Sequence, residues 1–287
     1  MAKKSKKAAQ SLKIPKFIIA SAKFLALISP KLAVLFAARL FTTPMKHKIP
    51  KREVEMDTNS LQKTLHIPAI KKDIVIYQYG TSDKKILLVH GWSGRGTQLV
   101  KFADELVEQG YSTISFDAPA HGKSEGKTTI MTEFIECILE IEKQSSPFEA
   151  AIGHSLGGMS LLNAVKRGFK ISHLVTIGSG DIVSDIIDDF TFQLGLKHKF
   201  GALLREHFET KIRQSMDGYS AYIAAEKIDI PALVIHDNDD ADVPLKAGIH
   251  IHKHLRNGQL MITKGLGHRK ILGNDKVIQK TIEFIKN

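Results

Sequence analysis

Gly153-His154-Ser155-Leu156-Gly157 places a serine between two glycines, each two residues away, where an apolar run (Phe148 to Gly153) gives way to a helical pattern starting at Leu156. A serine hydroxyl is a weak nucleophile until a base takes its proton. A sharp strand-to-helix turn would expose that hydroxyl, and such a turn needs neighbours without bulk because backbones approach closely there. The helix behind the turn presents the positive end of its dipole to any negative charge that develops. This pattern points to covalent acyl transfer with Ser155 as the nucleophile.

A base, and a carboxylate to hold its tautomer, must then come from other loops. Gln259 to Thr263 has strand character and leads into Lys264-Gly265-Leu266-Gly267-His268-Arg269, expected to be a flexible glycine-rich loop that brings His268 over the site. Upstream, the run Ala232 to Asp237 opens into Asp237-Asn238-Asp239-Asp240-Ala241-Asp242-Val243-Pro244, which offers several carboxylates. Serine, acid and histidine in that order form a known triad sequence. The acidic run lacks the glycine and terminal Glu of a calcium loop. His250 and His254 have the i,i+4 spacing of metal ligands, but no further ligand stands near them, and a solvated basic helix face is expected. Neither a metal nor a cofactor is implied.

The elements that must position these residues are legible as alternating patterns. Strand-like runs occur at Ile74 to Tyr79, Lys85 to His90, Ser112 to Asp117, Phe148 to Gly153, His173 to Gly178, Ala232 to Asp237 and Gln259 to Thr263. Helical patterns lie at Gln98 to Gln109, Thr132 to Gln144, Leu156 to Arg167 and Leu245 to Leu255. Several strand runs are almost continuously apolar, as strands buried on both faces are. The expected fold is a mostly parallel, doubly wound α/β sheet. The interval 181–229 is too long for a simple crossover and is helical in character, so a small helical lid insertion is expected there. The core is accordingly assigned to 53–180 and 230–287, and 1–52 is a separate basic, apolar helical segment.

Four segments in this order resemble the α/β-hydrolase superfamily: His90-Gly91-Trp92, Asp117 to Ser124, Gly153 to Gly158, and the acid and histidine loops. The likeness runs from about Asp73 to the C-terminus. It implies an oxyanion hole made by the backbone N–H groups of Trp92 and Leu156, with His90 a structural residue of the loop. The family's acid loop often reads His-Gly, two residues, Asp, two residues, Val-Pro. Laid from His236, that spacing puts the acid on Asp240, with Asp239 as its competitor; Asp237 stands where glycine is usual, and Ala120 also replaces a common glycine. A serine at the elbow disfavours the carboxylate-dependent epoxide and haloalkane hydrolases of this fold. The resemblance implies hydrolysis of a small-molecule acyl ester. Acyltransferase or thioesterase chemistry with the same triad, and a ligand-binding homologue with little turnover, are the alternatives.

Composition bounds the partners. The chain of 287 residues is 43% hydrophobic, enough for a sizeable core. Its single cysteine, Cys137, excludes an internal disulfide, sits in a helical pattern as a core position, and fits a cytoplasmic setting. The net charge of +11 is local: residues 1–52 carry 13 Lys and Arg and no acid, while the remaining 28 basic residues face all 30 acidic ones. The basic run lacks interleaved aromatics, so no nucleic-acid partner is expected. Ile14 to Phe41 is apolar but broken by Ser29-Pro30 and interrupted by Lys23, Lys31 and Arg39, which predicts two short helices rather than a span. Two roles are open for residues 1–41: a peripheral contact with an anionic membrane, or a pair of helices packed on the body.

Overall fold

The computed structural model describes residues 14–287; the basic tail expected as far as Ser11 lies outside the described residues. Three helices come first, α1 (Lys16–Ile28), α2 (Pro30–Phe41) and α3 (Val54–Asn59). Then follow β1 (Leu61–Ile67), β2 (Lys72–Tyr79), β3 (Lys85–Val89), α4 (Val100–Glu108), β4 (Ser112–Asp117), α5 (Met131–Ser145), β5 (Ala150–His154) and α6 (Leu156–Lys166). The chain continues through β6 (His173–Ile177), α7 (Val183–Gln193), α8 (Lys199–Ile212), α9 (Ala221–Ala225) and β7 (Ala232–Asp237). It ends with α10 (Leu245–His254), β8 (Gly258–Thr263), α11 (Gly267–Lys270) and α12 (Asp275–Lys286).

The strands form one eight-stranded sheet in the order β1-β2-β4-β3-β5-β6-β7-β8, antiparallel at β1–β2 and β2–β4 and parallel from there on. Alternate residues of the central strands enter separate cores, as the two-residue period of a strand requires. Ile86, Leu88 and Ile152 pack beneath α4 and α12, against Phe102, Leu106 and Ile282. Leu87, Val89 and Ala151 pack on the opposite face with Phe134, Ile138 and Leu161 of α5 and α6. Each such fully buried side chain stabilises the fold by about 1.5–3 kcal/mol. Cys137 is one of them, and burial pushes its thiol pKa up. All parallel strands end on one side, so the loops after β3, β5, β7 and β8 converge there.

Some elements depart from the sequence expectations, β1 and α12 among them. β1 was not anticipated because most of its positions are exposed and polar, which leaves no apolar alternation to see. That same polarity protects an open sheet edge. α12, also not anticipated, buries the apolar residues Val277, Ile278, Ile282, Phe284 and Ile285 and is capped by Asn274, whose side chain accepts the Val277 N–H at 3.2 Å.

The 181–229 interval holds α7, α8 and α9, but its last helix packs on α6 and α10 and belongs to the body. Asp181 fastens this end: its carbonyl accepts the Ala221 N–H (2.9 Å), and its carboxylate accepts the Tyr222 N–H (3.0 Å) and pairs with His250 Nδ1 (2.5 Å). His250 and His254 therefore do not form a plain solvated face; their rings pack edge-on against each other and at an angle to that of Tyr222.

The break at Ser29-Pro30 turns α1 and α2 into a hairpin. Ala33, Val34, Ala37 and Ala38 of α2 are buried beside α8, and Phe41 meets the rings of Phe190 and Phe208 at 5.1 and 5.7 Å. No helix among the described residues is long and apolar enough to cross a membrane. Beyond α2 the chain runs to the loop after β3, where the Met45 N–H donates to Ser93 Oγ (3.0 Å). Glu53, buried, accepts the Thr97 hydroxyl (2.9 Å) and lies 3.7 Å from Arg95.

Replacing the α12 cap, Asn274→Ala, is expected to cost about 1 kcal/mol. In a chain of this size that lowers the thermal midpoint by about 2 °C, read by circular-dichroism melting.

Candidate active site

The turn after β5 is built by absent side chains. Ser155 adopts φ 52° and ψ −119°, a left-handed conformation that costs a residue with a Cβ about 1–3 kcal/mol unless its surroundings enforce it. Enforcement is by backbone: the Ser155 N–H donates to the Ile177 carbonyl at 2.9 Å, and the Gly158 N–H donates to the Ser155 carbonyl at 3.0 Å. A methyl group on Gly153 would stand 2.6 Å from the Gly157 carbonyl carbon, and one on Gly157 would stand 2.3 Å from the Val89 oxygen. Gly91 is equally confined, its added methyl 3.0 Å from Ser155 Cβ. The Ser155 side chain is half-buried at the N-terminus of α6.

The loop after β3 is stapled by two neutral histidines. His90 Nδ1–H donates to the Gly91 carbonyl (2.7 Å), and its Nε2 accepts the Ala118 N–H (3.1 Å). His121 Nδ1–H donates to the Pro119 carbonyl (3.1 Å), and its Nε2 accepts the Ser93 N–H (3.0 Å). The Gly91 N–H is taken by Gln98 Oε1 at 2.8 Å. Between these two satisfied amides, the Trp92 N–H has no acceptor among the described residues. Leu156, the first residue of α6, likewise carries an N–H that its own helix cannot satisfy. Burial pushes His90 down to about 4 and His121 down to about 3, which keeps both rings neutral and able to accept.

The loops after β7 and β8 meet in an imidazole–carboxylate pair. His268 Nδ1 lies 2.7 Å from Asp240 Oδ2, with the histidine 7% exposed and the carboxylate side chain nearly inaccessible. Asp240 Oδ1 accepts the N–H groups of Asp242 (2.9 Å) and Val243 (2.8 Å). Asp239, its competitor, points elsewhere and accepts the exposed Gly265 N–H at 3.1 Å. His268 and Ser155 flank His154, whose ring packs 4.6 Å from that of His268 and whose Nε2–H donates to the His268 carbonyl at 2.9 Å. Gly178 closes the other side; a methyl there would lie 3.3 Å from His268 Nδ1 and 3.4 Å from Asp240 Oδ2.

His268 does not sit on a flexible loop. It opens the short helix α11, and Asp237 holds that helix in place. The Asp237 carboxylate, fully buried, accepts the N–H groups of Gly267 (2.9 Å), Leu266 (3.1 Å) and Asp239 (2.9 Å) and the Thr263 hydroxyl (2.7 Å). Burial raises its pKa, but those four donors outweigh burial and hold it below the usual carboxylate value. In the sequence Asp237 stands out only as a departure from glycine; a carboxylate at a strand end, one loop away from the glycine-rich run that leads to His268, is the available signal. His236, also buried, donates Nε2–H to the Val243 carbonyl at 2.9 Å and thereby shapes the Asp240 turn. Among the described residues, no group of three or more potential ligands could hold a metal ion.

The neutral histidines make acid stability predictable. Their folded pKa values lie below the unfolded value of 6.5, so the stability is complete above that value. It is lost as pH falls from about 6.5 toward about 4, because the unfolded chain takes up protons that the folded loop refuses. Thermal melts between those limits check this, and His121→Gln is expected to decline less steeply.

The family model described as alpha/beta hydrolase fold matches residues 84–211, and one described as TAP-like protein matches 210–287. No curated protein matches the sequence. Among solved structures, an esterase from Exiguobacterium antarcticum is similar at 18% identity and TM-score 0.62, over 79% of this chain and all of that one (100%). A bromoperoxidase from Bacillus anthracis is similar at 20% identity and TM-score 0.60, over 79% of this chain and 100% of its own. A bacterial membrane phospholipase A is similar at 14% identity and TM-score 0.63, over 95% of this chain and 97% of that one. These likenesses concern the fold. With both matched models running in succession from 84 to 287 over the sheet and its elbow, the chain belongs to the α/β-hydrolase superfamily.

Proposed function

We propose that the protein is a serine hydrolase that cleaves a carboxylic ester through an acyl-enzyme on Ser155. The observation that carries this reading is the 2.7 Å pair between His268 and Asp240 beside the strained Ser155 turn. Nothing in the packing of the sheet needs a buried imidazole–carboxylate pair at that point; a proton relay does. Two of the similar structures are named an esterase and a phospholipase, which favours esters as the substrate class.

In the proposed cycle, Ser155 Oγ attacks the acyl carbon and its proton passes to His268 Nε2. Asp240, accepting from Nδ1–H, fixes that tautomer and stabilises the imidazolium. The carbonyl oxygen becomes an oxyanion and accepts from the Trp92 and Leu156 N–H groups. Collapse breaks the ester C–O bond, and the leaving alkoxide takes the proton from His268. Water then attacks the acyl-enzyme, gives its proton to His268, and the second collapse returns that proton to Ser155 with release of the carboxylic acid.

Ser155→Ala is expected to abolish labelling by a fluorophosphonate probe and to lower hydrolysis of short aryl esters about 10⁴-fold or more. Asp240→Asn should cost about 10⁴-fold in kcat, while Asp239→Asn should cost less than about tenfold. Labelling that persists in Ser155→Ala, or ester turnover unchanged by it, overturns the proposal.

A further inference from the structure

The α1–α2 hairpin uses only one of its faces in the fold. The buried side, Ala22 with Ala33, Val34, Ala37 and Ala38, is small and faces the body, and Ile19 and Lys23 touch the Gly195 turn between α7 and α8. The other side is apolar and bare. Phe17 (71% exposed), Phe24 (63%) and Ile28 (59%) recur at i, i+7 and i+11, which is a single stripe of the helix, with Leu27 (87%) on its flank. Leu32 and Leu35 extend the stripe across the Ser29-Pro30 turn. Four of the larger exposed apolar side chains of the described protein thus lie within twelve consecutive residues, Phe17 to Ile28. An apolar patch of this continuity is costly in water and marks a surface made to be covered.

Charge selects the cover. Lys16 and Lys23 border the apolar stripe on α1, Lys31 and Arg39 lie on α2, and neither helix contains an acidic residue. Basic residues also dominate the sequence on both sides, with no Asp or Glu anywhere in residues 1–52. The helices, of 13 and 12 residues, are too short to cross a bilayer. Short helices with an apolar stripe and cationic borders lie in the plane of a membrane interface, apolar side down, with lysines at the headgroups. A second copy of this chain would have to set the same cations against each other across the contact.

We infer that the α1–α2 hairpin docks on the surface of an anionic phospholipid bilayer. Docking places α8 and the Gly195 turn, against which the hairpin packs, at the membrane. This inference is independent of the chemistry proposed for Ser155.

The test is co-sedimentation of the full chain with vesicles of phosphatidylcholine alone or mixed with phosphatidylglycerol. Wild type is expected to partition onto the anionic vesicles, less so as salt is raised. Phe24→Glu combined with Leu27→Glu should lower that partitioning about tenfold or more, and Lys16→Glu with Lys31→Glu should remove the preference for the anionic lipid. Both pairs are exposed, so circular dichroism and turnover of a soluble short ester should stay at wild-type levels. Ser155→Ala should bind vesicles like wild type, which separates failure here from failure of the proposed hydrolase. Partitioning that ignores lipid charge and both variant pairs overturns the inference. So does a dimer in sedimentation velocity that Leu27→Glu dissociates in the absence of any vesicle binding.

Discussion

The site depends on how closely three stretches of backbone approach one another. Ser155 can hold its left-handed conformation only while β5, the start of α6 and the loop after β3 lie in van der Waals contact through Gly153, Gly157 and Gly91. Strain of about 1–3 kcal/mol at one residue is small beside the burial of the two sheet cores, so the sheet can impose it. What the strain yields is a hydroxyl held out from the end of a central strand, next to two amide N–H groups that no described carbonyl claims.

Around that turn the electrostatics are arranged by burial rather than by surface charge. His90, His121, His154 and His236 are all desolvated, and all have pKa values pushed below the ordinary histidine value. As neutral rings they donate with one nitrogen, and His90 and His121 accept with the other, so they can join loops without bringing charge near Ser155. The anionic groups are divided between two tasks. Asp240 faces the His268 ring, whereas Asp237 binds the backbone that leads to it. Three residues apart in sequence, the two carboxylates fix the orientation and the position of one imidazole.

Much of this was legible in the sequence because it is written in local patterns. Apolar runs marked seven of the strands, the spacing of Gly153, Ser155 and Gly157 marked the turn, and the register from His236 pointed to Asp240, the carboxylate that faces His268. The structure supplied what pattern cannot carry. β1 was silent because an exposed edge strand needs no apolar alternation. α12 was overlooked although Asn274 and the spacing of Val277, Ile278 and Ile282 announce a capped amphipathic helix. The His268 segment looked flexible because glycines suggest freedom, and only the contact with Asp237, about thirty residues away, reveals that the Leu266 and Gly267 N–H groups are engaged. The histidine pair on α10 looked solvated because its partner Asp181 is distant in sequence.

The chain between α2 and α3 links the hairpin to the loop after β3, through Met45 on Ser93 and through the buried Glu53 on Thr97 and Arg95. The N-terminal helices are consequently not a detachable module. A truncation that begins beyond Glu53 removes, along with the apolar hairpin, the clasp on the loop that carries Trp92. Conversely, a graft of residues 14–41 onto another protein would transfer the exposed apolar stripe without the link to the loop after β3. A boundary at 43–44 therefore falls between two bonds to the body, the Thr42 carbonyl that accepts the Thr129 N–H at 2.9 Å and the Met45 N–H that donates to Ser93 Oγ at 3.0 Å.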